Sequence, residues 1–127
     1  MFFAYPRFPA HFEIPDDWWF ESGMQEFTTS DRSFRWFGRA TLIALSDVEP
    51  PSRSKNCALD FHGFDKQRLI RIVQWIARGI EIEPVPVRKL PTVENFRIPY
   101  EYQLCDGFHR YHASVAAGFV LLPVTVR

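Results

Sequence analysis

The sequence predicts an α+β domain in which a small mixed β-sheet is flanked by helices. Residues 100–105 alternate apolar and polar side chains with the period of two that is typical of a half-buried strand. In residues 66–78 the apolar side chains recur at helical spacing instead. They are Leu69, Ile72, Val73 and Ile76. Since both patterns occur within 127 residues, we expect helices and strands to share one core.

Residues 1–24 are rich in aromatic side chains, and Pro6, Pro9 and Pro15 exclude one continuous helix there. Residues 15–17 fit a turn or a helix start. The aromatic side chains, which have to be kept from water, are Phe2, Phe3, Tyr5, Phe8, Phe12, Trp18, Trp19 and Phe20. We expect them to pack as a layer on the domain. A surface for a protein partner is the alternative, and stacking on single-stranded bases is a third.

The next part of the chain combines turns with short extended segments. Residues 25–33 are polar, and residues 34–37 and 39–45 are predicted to be extended. In the second of these segments Leu42, Ile43 and Leu45 are expected to face the core. The composition of residues 49–56 indicates a loop, and residues 59–65 fit a short strand and turn.

The best-defined element is a helix over residues 66–78, with Asp65 as its N-cap and Gly79 as its end. A strand follows in residues 81–90. Because Pro84 and Pro86 interrupt it, this strand either lies near a sheet edge or begins at Val85. Residues 91–99 read as a connecting loop.

The C-terminal part reads as a strand, a glycine turn, a helix and a final strand. The turn is Asp106-Gly107, and the helix is predicted over residues 108–117 with Gly118 as its end. The last strand is predicted over residues 121–126.

The charge balance argues against a global attraction to nucleic acid, because 15 basic side chains are matched by 15 acidic ones. If DNA is a partner, a local patch has to hold it, and ordinary solvated faces are the favoured alternative. The candidate patches are Arg32, Arg35 and Arg39, or Arg68, Arg71 and Arg78.

Localisation follows from weaker signals. Arg7 and two prolines spoil a signal-peptide core, and no apolar run approaches membrane-spanning length. Cys57 and Cys105 form no metal-type cluster, and nothing demands an oxidising compartment. The sequence does not decide whether these two cysteines form a disulfide. We expect a cytoplasmic protein with no membrane partner.

One stretch suggests chemistry. A glycine turn that leads into a helix presents backbone N–H groups and the positive end of the helix dipole to an anion. Gly107 would allow backbone access, the Phe108 amide would join the cradle, and His109 and Arg110 would contact phosphate. The structural alternative is an exposed helix start with a surface arginine.

The C-terminal half resembles the ParB/sulfiredoxin superfamily. Its motif Gly-x-His/Arg-Arg-Tyr-x-Ala is matched by Gly-Phe-His-Arg-Tyr-His-Ala at residues 107–113. The flanking segments agree in order and spacing; they are residues 66–79, 84–88, 100–106, Gly118 and residues 123–126. The resemblance implies a domain over residues 39–127, preceded by the aromatic extension of residues 1–38.

The departures from the family restrict the chemistry. Sulfiredoxins carry their catalytic cysteine at the position of Phe108, so sulfinic-acid chemistry is not expected. Cys105 lies on the strand side of the turn, and we expect it to be a small buried apolar residue instead. ParB partition proteins continue into a DNA-binding domain, whereas this sequence ends at Arg127.

The resemblance implies binding of a nucleotide, ATP or CTP, with NTPase activity and in some relatives DNase activity. Small plasmid-encoded proteins that inhibit conjugative transfer, the fertility inhibitors, are the most similar in size. Two alternatives stay open: a non-catalytic protein-interaction or inhibitor module, and a small-molecule kinase.

Hydrolysis would need a group that activates the nucleophile and, as a rule, Mg²⁺ between the phosphates. The catalytic set is predicted to be His109, Arg110 and Glu94. Other suppliers of a base or metal ligand are Asp60, His62, Glu101 and Asp106. His109 and His112 share a helix face, but no third ligand accompanies them, so no metal site of their own is expected.

Overall fold

The structure is a computed structural model that describes residues 1–52, 60–91 and 100–127. The described residues form an N-terminal β-hairpin, a four-stranded sheet and three α-helices. In chain order the elements are β1 (Phe2–Ala4), β2 (His11–Glu13), α1 (Asp16–Glu21), β3 (Thr41–Ala44), α2 (Lys66–Arg78), β4 (Val85–Lys89), β5 (Tyr102–Leu104), α3 (Phe108–Ala116) and β6 (Leu121–Val126). The predicted α+β class is confirmed.

The four-stranded sheet is mixed and has the order β3-β6-β4-β5. β6 runs antiparallel to β3, with Ile43 opposite Leu122, and parallel to β4, with Val85 opposite Val124. β4 runs antiparallel to β5. Of the two readings offered for this segment, the strand that begins at Val85 is correct, since β4 lies between two strands rather than at an edge.

Helix α2 has the bounds, cap and end that its sequence predicts. The Asp65 carboxylate accepts a hydrogen bond from the Arg68 backbone N–H at 2.9 Å, and Gly79 ends the helix with a φ of 69°. Its apolar stripe is buried, and the helices that α2 contacts are α3 and α1. Helix α3 ends one residue earlier than predicted, at Ala116, and Gly118 follows with a φ of 86°.

The expected burial of Leu42 is wrong, and so is that of Cys105, which is exposed. Ile43 and Leu45 are buried as predicted, but Leu42 is 43% exposed. Adjacent residues of a strand point to opposite faces, so Leu42 and Ile43 cannot both face the core. Ile43 takes the inner face of β3, beside Leu122 of β6.

The core combines the sheet, the helices and the N-terminal segment. Its fully buried sheet residues are Val85, Val87, Leu122 and Val124. The N-terminal residues that join the same cluster are Phe12, Ile14, Trp18, Trp19 and Met24. Phe2, Phe8 and Phe20 stay exposed, so the aromatic segment is divided between core and surface. In the described ranges, no helix is long and apolar enough to cross a membrane.

Candidate functional site

Helix α3 begins at a position that accepts only glycine. Gly107 is buried and has a φ of 95°, a conformation that side-chain-bearing residues rarely adopt. A Cβ atom added to Gly107 would lie 2.7 Å from Cγ1 of Val85. The Gly107 N–H donates to Oδ1 of Asp106 at 2.7 Å, so this carboxylate closes the turn. The turn therefore brings the start of α3 directly against β4.

Arg110 is held at this corner by backbone carbonyls. Its Nη1 donates to the carbonyl oxygens of Glu83 and Pro84, at 2.9 and 3.0 Å. Its Nη2 lies 3.8 Å from Oδ2 of Asp106. Burial lowers the pKa of the Arg110 guanidinium, Asp106 and Glu83 act in the opposite direction, and the positive charge of Arg68 lowers it further. The guanidinium is thus fixed in place, with another cation beside it.

His109 joins the starts of two helices. The imidazole is buried, and its Nε2 accepts a hydrogen bond from the Asp65 backbone N–H at 2.9 Å. Asp65 is the N-cap of α2, so this bond satisfies a donor at the first turn of that helix. A ring nitrogen that accepts in this way carries no proton. The proton of a neutral His109 ring is therefore on Nδ1.

A cavity of about 330 Å³ opens between α2 and the start of α3. The turn and first residues of α3 line one side, over residues 106–110. The opposite side is the outer face of α2 and the segment before β4. Its lining residues are Arg68, Arg71, Ile72, Trp75, Ile82 and Glu83. All the residues predicted to bind phosphate, at positions 107–110, thus line one cavity.

Among the described residues, three guanidinium groups line this cavity, and they face two carboxylates. Arg68 and Arg71 are exposed on α2, while Arg110 is mostly buried. The positive end of the α3 dipole adds to the same field. The balance is positive, with an apolar patch formed by Trp75 and its neighbours. Such a surface suits an anion that carries an apolar or aromatic group.

The other predicted residues are placed elsewhere. Glu94 lies outside the described residues. Asp60 accepts a hydrogen bond from the Lys66 N–H at 2.8 Å, at the start of α2. Glu101 and His62 do not line the cavity, and His62 borders a second one. Of the suggested suppliers of a base or metal ligand, Asp106 is the one that the described part of the chain brings to this cavity.

The two arginine patches proposed for DNA have different surroundings. Arg68 and Arg71 belong to the cavity, whereas Arg78 is exposed at the end of α2. The Arg35 guanidinium lies beside Gly79, at that same end of the helix. The candidate patch on α2 is therefore divided between the cavity and the far end of the helix.

Sequence reasoning overlooked Trp75 and Glu83 as site residues. The spacing of Arg68, Arg71 and Trp75 over two turns of α2 was a usable signal, because these positions share one helix face. Glu83 had no comparable signal. It reaches the cavity through the path of the chain before β4.

Within the described ranges, no group of three or more histidine, cysteine, aspartate or glutamate side chains is arranged to hold a metal ion. The comparisons with protein-family models, curated proteins and solved structures gave no match to this chain.

Proposed function

We propose that this protein binds a nucleotide or another phosphoester in the cavity between α2 and the start of α3. One observation carries the proposal: Arg68 and Arg71 of α2 converge with Arg110 on the helix start that follows Gly107. Arg110 is about forty residues away from Arg68 and Arg71 in the sequence, and the cavity brings all three side chains to one place where a single ligand would contact them.

The electrostatics favour an anion. The positive charge of Arg68 acts unfavourably on the Arg110 guanidinium, which burial already disfavours. A phosphate between the two would relieve that repulsion and would accept charge-assisted hydrogen bonds from arginine donors. Nη1 of Arg110 already donates to two backbone carbonyls and is not available to a ligand. Arg68 and Arg71 are therefore the arginines that would contact phosphate most directly.

The apolar lining favours a nucleotide over inorganic phosphate. Trp75 is half-buried beside Ile72 and Ile82 in the same cavity. An indole face can stack on a base, and such stacking contributes about 1–3 kcal/mol per base. A ligand with phosphates near the arginines and a base near Trp75 would use both parts of the lining. ATP and CTP are the ligands to test first.

Hydrolysis of the bound nucleotide, or cleavage of DNA, is the further step of this proposal. Asp106 and Glu83 are the described carboxylates of the cavity, and both are exposed enough to share Mg²⁺ with phosphate oxygens. Mg²⁺ would neutralise charge on the transferred phosphoryl group. His109 would act by holding α2 against α3, since its Nε2 already accepts from Asp65.

Calorimetric titration with ATP and with CTP, each with and without Mg²⁺, tests binding. Arg68→Ala and Arg71→Ala should each weaken binding by about tenfold or more, because a charge-assisted hydrogen bond contributes about 1.5–3 kcal/mol. Arg78→Ala is the matched control, since this arginine is exposed on the same helix but outside the cavity. Equal affinities for all three variants, or no heat with the wild-type protein, contradict the proposal.

Arg110→Ala alone is a poor test, because it also removes hydrogen bonds to the Glu83 and Pro84 carbonyls. A loss of nucleotide binding in Arg110→Ala would therefore not distinguish a missing ligand contact from a loss of local structure. Arg110→Lys keeps the positive charge, and comparing its nucleotide affinity with that of the wild-type protein is the better test. For catalysis, Asp106→Asn should abolish metal-dependent release of phosphate while leaving nucleotide binding measured without Mg²⁺ within about threefold, since the exposed carboxylate then contributes little binding energy.

A protein-interaction module is the second candidate, and the exposed aromatic side chains of the N-terminal segment favour it. Phe2, Phe8 and Phe20 are 72%, 45% and 51% exposed. Deleting this segment is unsuitable as a test, because Trp18 and Trp19 belong to the core. Replacing Phe2 and Phe20 with serine, with Phe37→Ser as an exposed control, should abolish capture of a partner only if these rings form the interface.

A further inference from the structure

A second cavity lies on another side of α3, between the N-terminal hairpin and the turn at residues 61–64. Its volume is about 340 Å³, which is within the range of small-molecule sites. The hairpin contributes Phe2, Tyr5, His11, Phe12 and Glu13. The turn and α3 contribute His62, Phe64, Phe108 and His112. We call it the aromatic cavity.

The base of the aromatic cavity is a defined hydrogen-bonded chain. Nδ1 of His112 lies 2.7 Å from the Phe108 carbonyl oxygen, which only accepts, so Nδ1 carries the proton. In the neutral ring, Nε2 then accepts from the Tyr5 hydroxyl at 2.8 Å. The hydroxyl hydrogen of Tyr5 is then donated to His112, whereas the hydroxyl oxygen can still accept a hydrogen bond. The group offered here to a ligand is therefore an acceptor.

The walls are aromatic rings that meet at steep angles. The ring planes of Tyr5 and Phe12 are 49° apart, those of Phe12 and Phe64 are 60° apart, and those of Phe64 and Phe108 are 47° apart. Because neighbouring rings are tilted, their faces are turned in several directions and do not form the parallel slot that would clamp a flat ligand. Aromatic faces carry negative charge density, and several of them around one space attract a cation.

The charges of the lining agree with this preference. Glu13 is half-buried in β2, and among the described residues no ion pair engages its carboxylate. The described lining contains no lysine or arginine. The cavity thus offers a carboxylate, a hydroxyl acceptor and aromatic faces. All three favour a positively charged ligand.

The backbone of His62 gives a separate indication. His62 has a φ of 45°, in a turn where Phe61 and Phe64 exchange backbone hydrogen bonds at 3.3 and 2.8 Å. Asparagine or glycine is the usual residue there, and a left-handed conformation disfavours other residues by about 1–2 kcal/mol. Strained residues of this kind cluster at binding sites. The strain here places an imidazole at the aromatic cavity.

From these observations we infer that the aromatic cavity binds a small organic cation, of the quaternary ammonium or methylated amine class. The head group would lie against the rings of Phe2, Tyr5 and Phe108, with Glu13, which is opposite Phe2 in the hairpin, as its counter-ion. A methylated ammonium suits this site best, because it spreads its charge over apolar methyl groups that pack against ring faces. The inference is independent of the phosphoester proposal, since it concerns a different cavity.

The decisive comparison uses two probes of the same shape. Choline carries the cation, and 3,3-dimethylbutan-1-ol has carbon in place of nitrogen and no charge. Each is titrated into the full-length protein at about pH 8, above the ordinary imidazole pKa of about 6.5. Binding is followed by protein NMR shifts. Choline should bind about tenfold more tightly than its neutral isostere, in keeping with a desolvated cation–π contact.

Two variants with a matched control locate the site. Glu13→Gln keeps the shape of the side chain and should weaken choline binding about twofold to fivefold, the range of a partly exposed ion pair. Phe2→Ala removes a wall that is exposed enough for the fold to tolerate its loss. Phe20→Ala is the control, because this exposed ring lies outside the cavity. Equal binding of both probes, no saturable shift with choline, or equal effects of Phe2→Ala and Phe20→Ala overturns the inference.

Discussion

The Tyr5 hydroxyl lies 2.8 Å from Nε2 of His112, so the N-terminal hairpin is hydrogen-bonded to α3. The two residues are 107 positions apart. His112 also contacts the rings of Phe12 and Phe108, with centroids 4.8 and 4.3 Å away. This histidine is therefore the point at which the N-terminal hairpin is attached to α3.

Tyr5→Phe should lower the free energy of unfolding by about 1–3 kcal/mol, because it leaves a buried ring nitrogen of His112 without its donor. Urea denaturation measures the change. Tyr102→Phe is the control, since its hydroxyl makes no hydrogen bond within the described residues. Unfolding midpoints that shift equally for both variants would show that the hydrogen bond contributes nothing specific.

Tyr111→Phe should have the opposite effect. The Tyr111 hydroxyl is fully buried, and among the described residues it has no hydrogen-bond partner. Removing an unsatisfied hydroxyl of this kind should raise the free energy of unfolding by about 1 kcal/mol. Thermal unfolding gives the sign directly. A lower midpoint for Tyr111→Phe would indicate that the hydroxyl has a stabilising partner in solution.

Stability should fall above about pH 10. Burial is the main cause that raises the pKa of Tyr111, and that of Tyr5, above the ordinary value of 10.0. The unfolded chain then releases these protons at a lower pH than the folded chain does. Unfolding therefore becomes more favourable as the pH rises past 10, by up to about 1.4 kcal/mol per pH unit for Tyr111. Urea midpoints between about pH 9 and 11 should decline less steeply in Tyr111→Phe than in the wild-type protein.

Gly107→Ala should be far more harmful than Gly118→Ala. Both glycines have positive φ, at 95° and 86°, so each substitution introduces left-handed strain of about 1–2 kcal/mol. A new Cβ at residue 107 would also lie 2.7 Å from Val85, whereas nothing is within 4 Å at residue 118. Overpacking adds about 1–3 kcal/mol. Equal unfolding free energies for the two variants would mean that β4 moves away from the new Cβ atom without a loss of stability.

Asp65→Ala should destabilise the protein by about 0.5–2 kcal/mol, the usual effect of losing a helix N-cap. The Asp65 carboxylate accepts from the Arg68 N–H at 2.9 Å, and Asp65→Asn should preserve that bond. The Asp65 backbone N–H that donates to His109 is unaffected by either change. A loss of stability in Asp65→Asn as large as in Asp65→Ala would exclude capping as the cause.

Local elements were predictable where one physical rule dominates. The bounds of Lys66–Arg78 follow from an aspartate cap, a helical apolar stripe and a terminal glycine, all of which act within the segment itself. Strand β6 was equally clear, since its β-rich run is preceded by a helix-ending glycine. The error at Leu42 arose where neighbouring apolar residues left the inward face ambiguous.

The amino-acid sequence by itself determined the α+β class and the two longer helices, and it led to the proposal that residues 107–110 bind phosphate. It could not show that Arg68, Arg71 and Trp75 share a cavity with Arg110, or that Tyr5 meets His112. Caps and periodicity act over a few residues and leave their mark in the local order of side chains. Contacts between distant segments depend on how the helices and the hairpin pack on the sheet, and only the tertiary structure decides that packing.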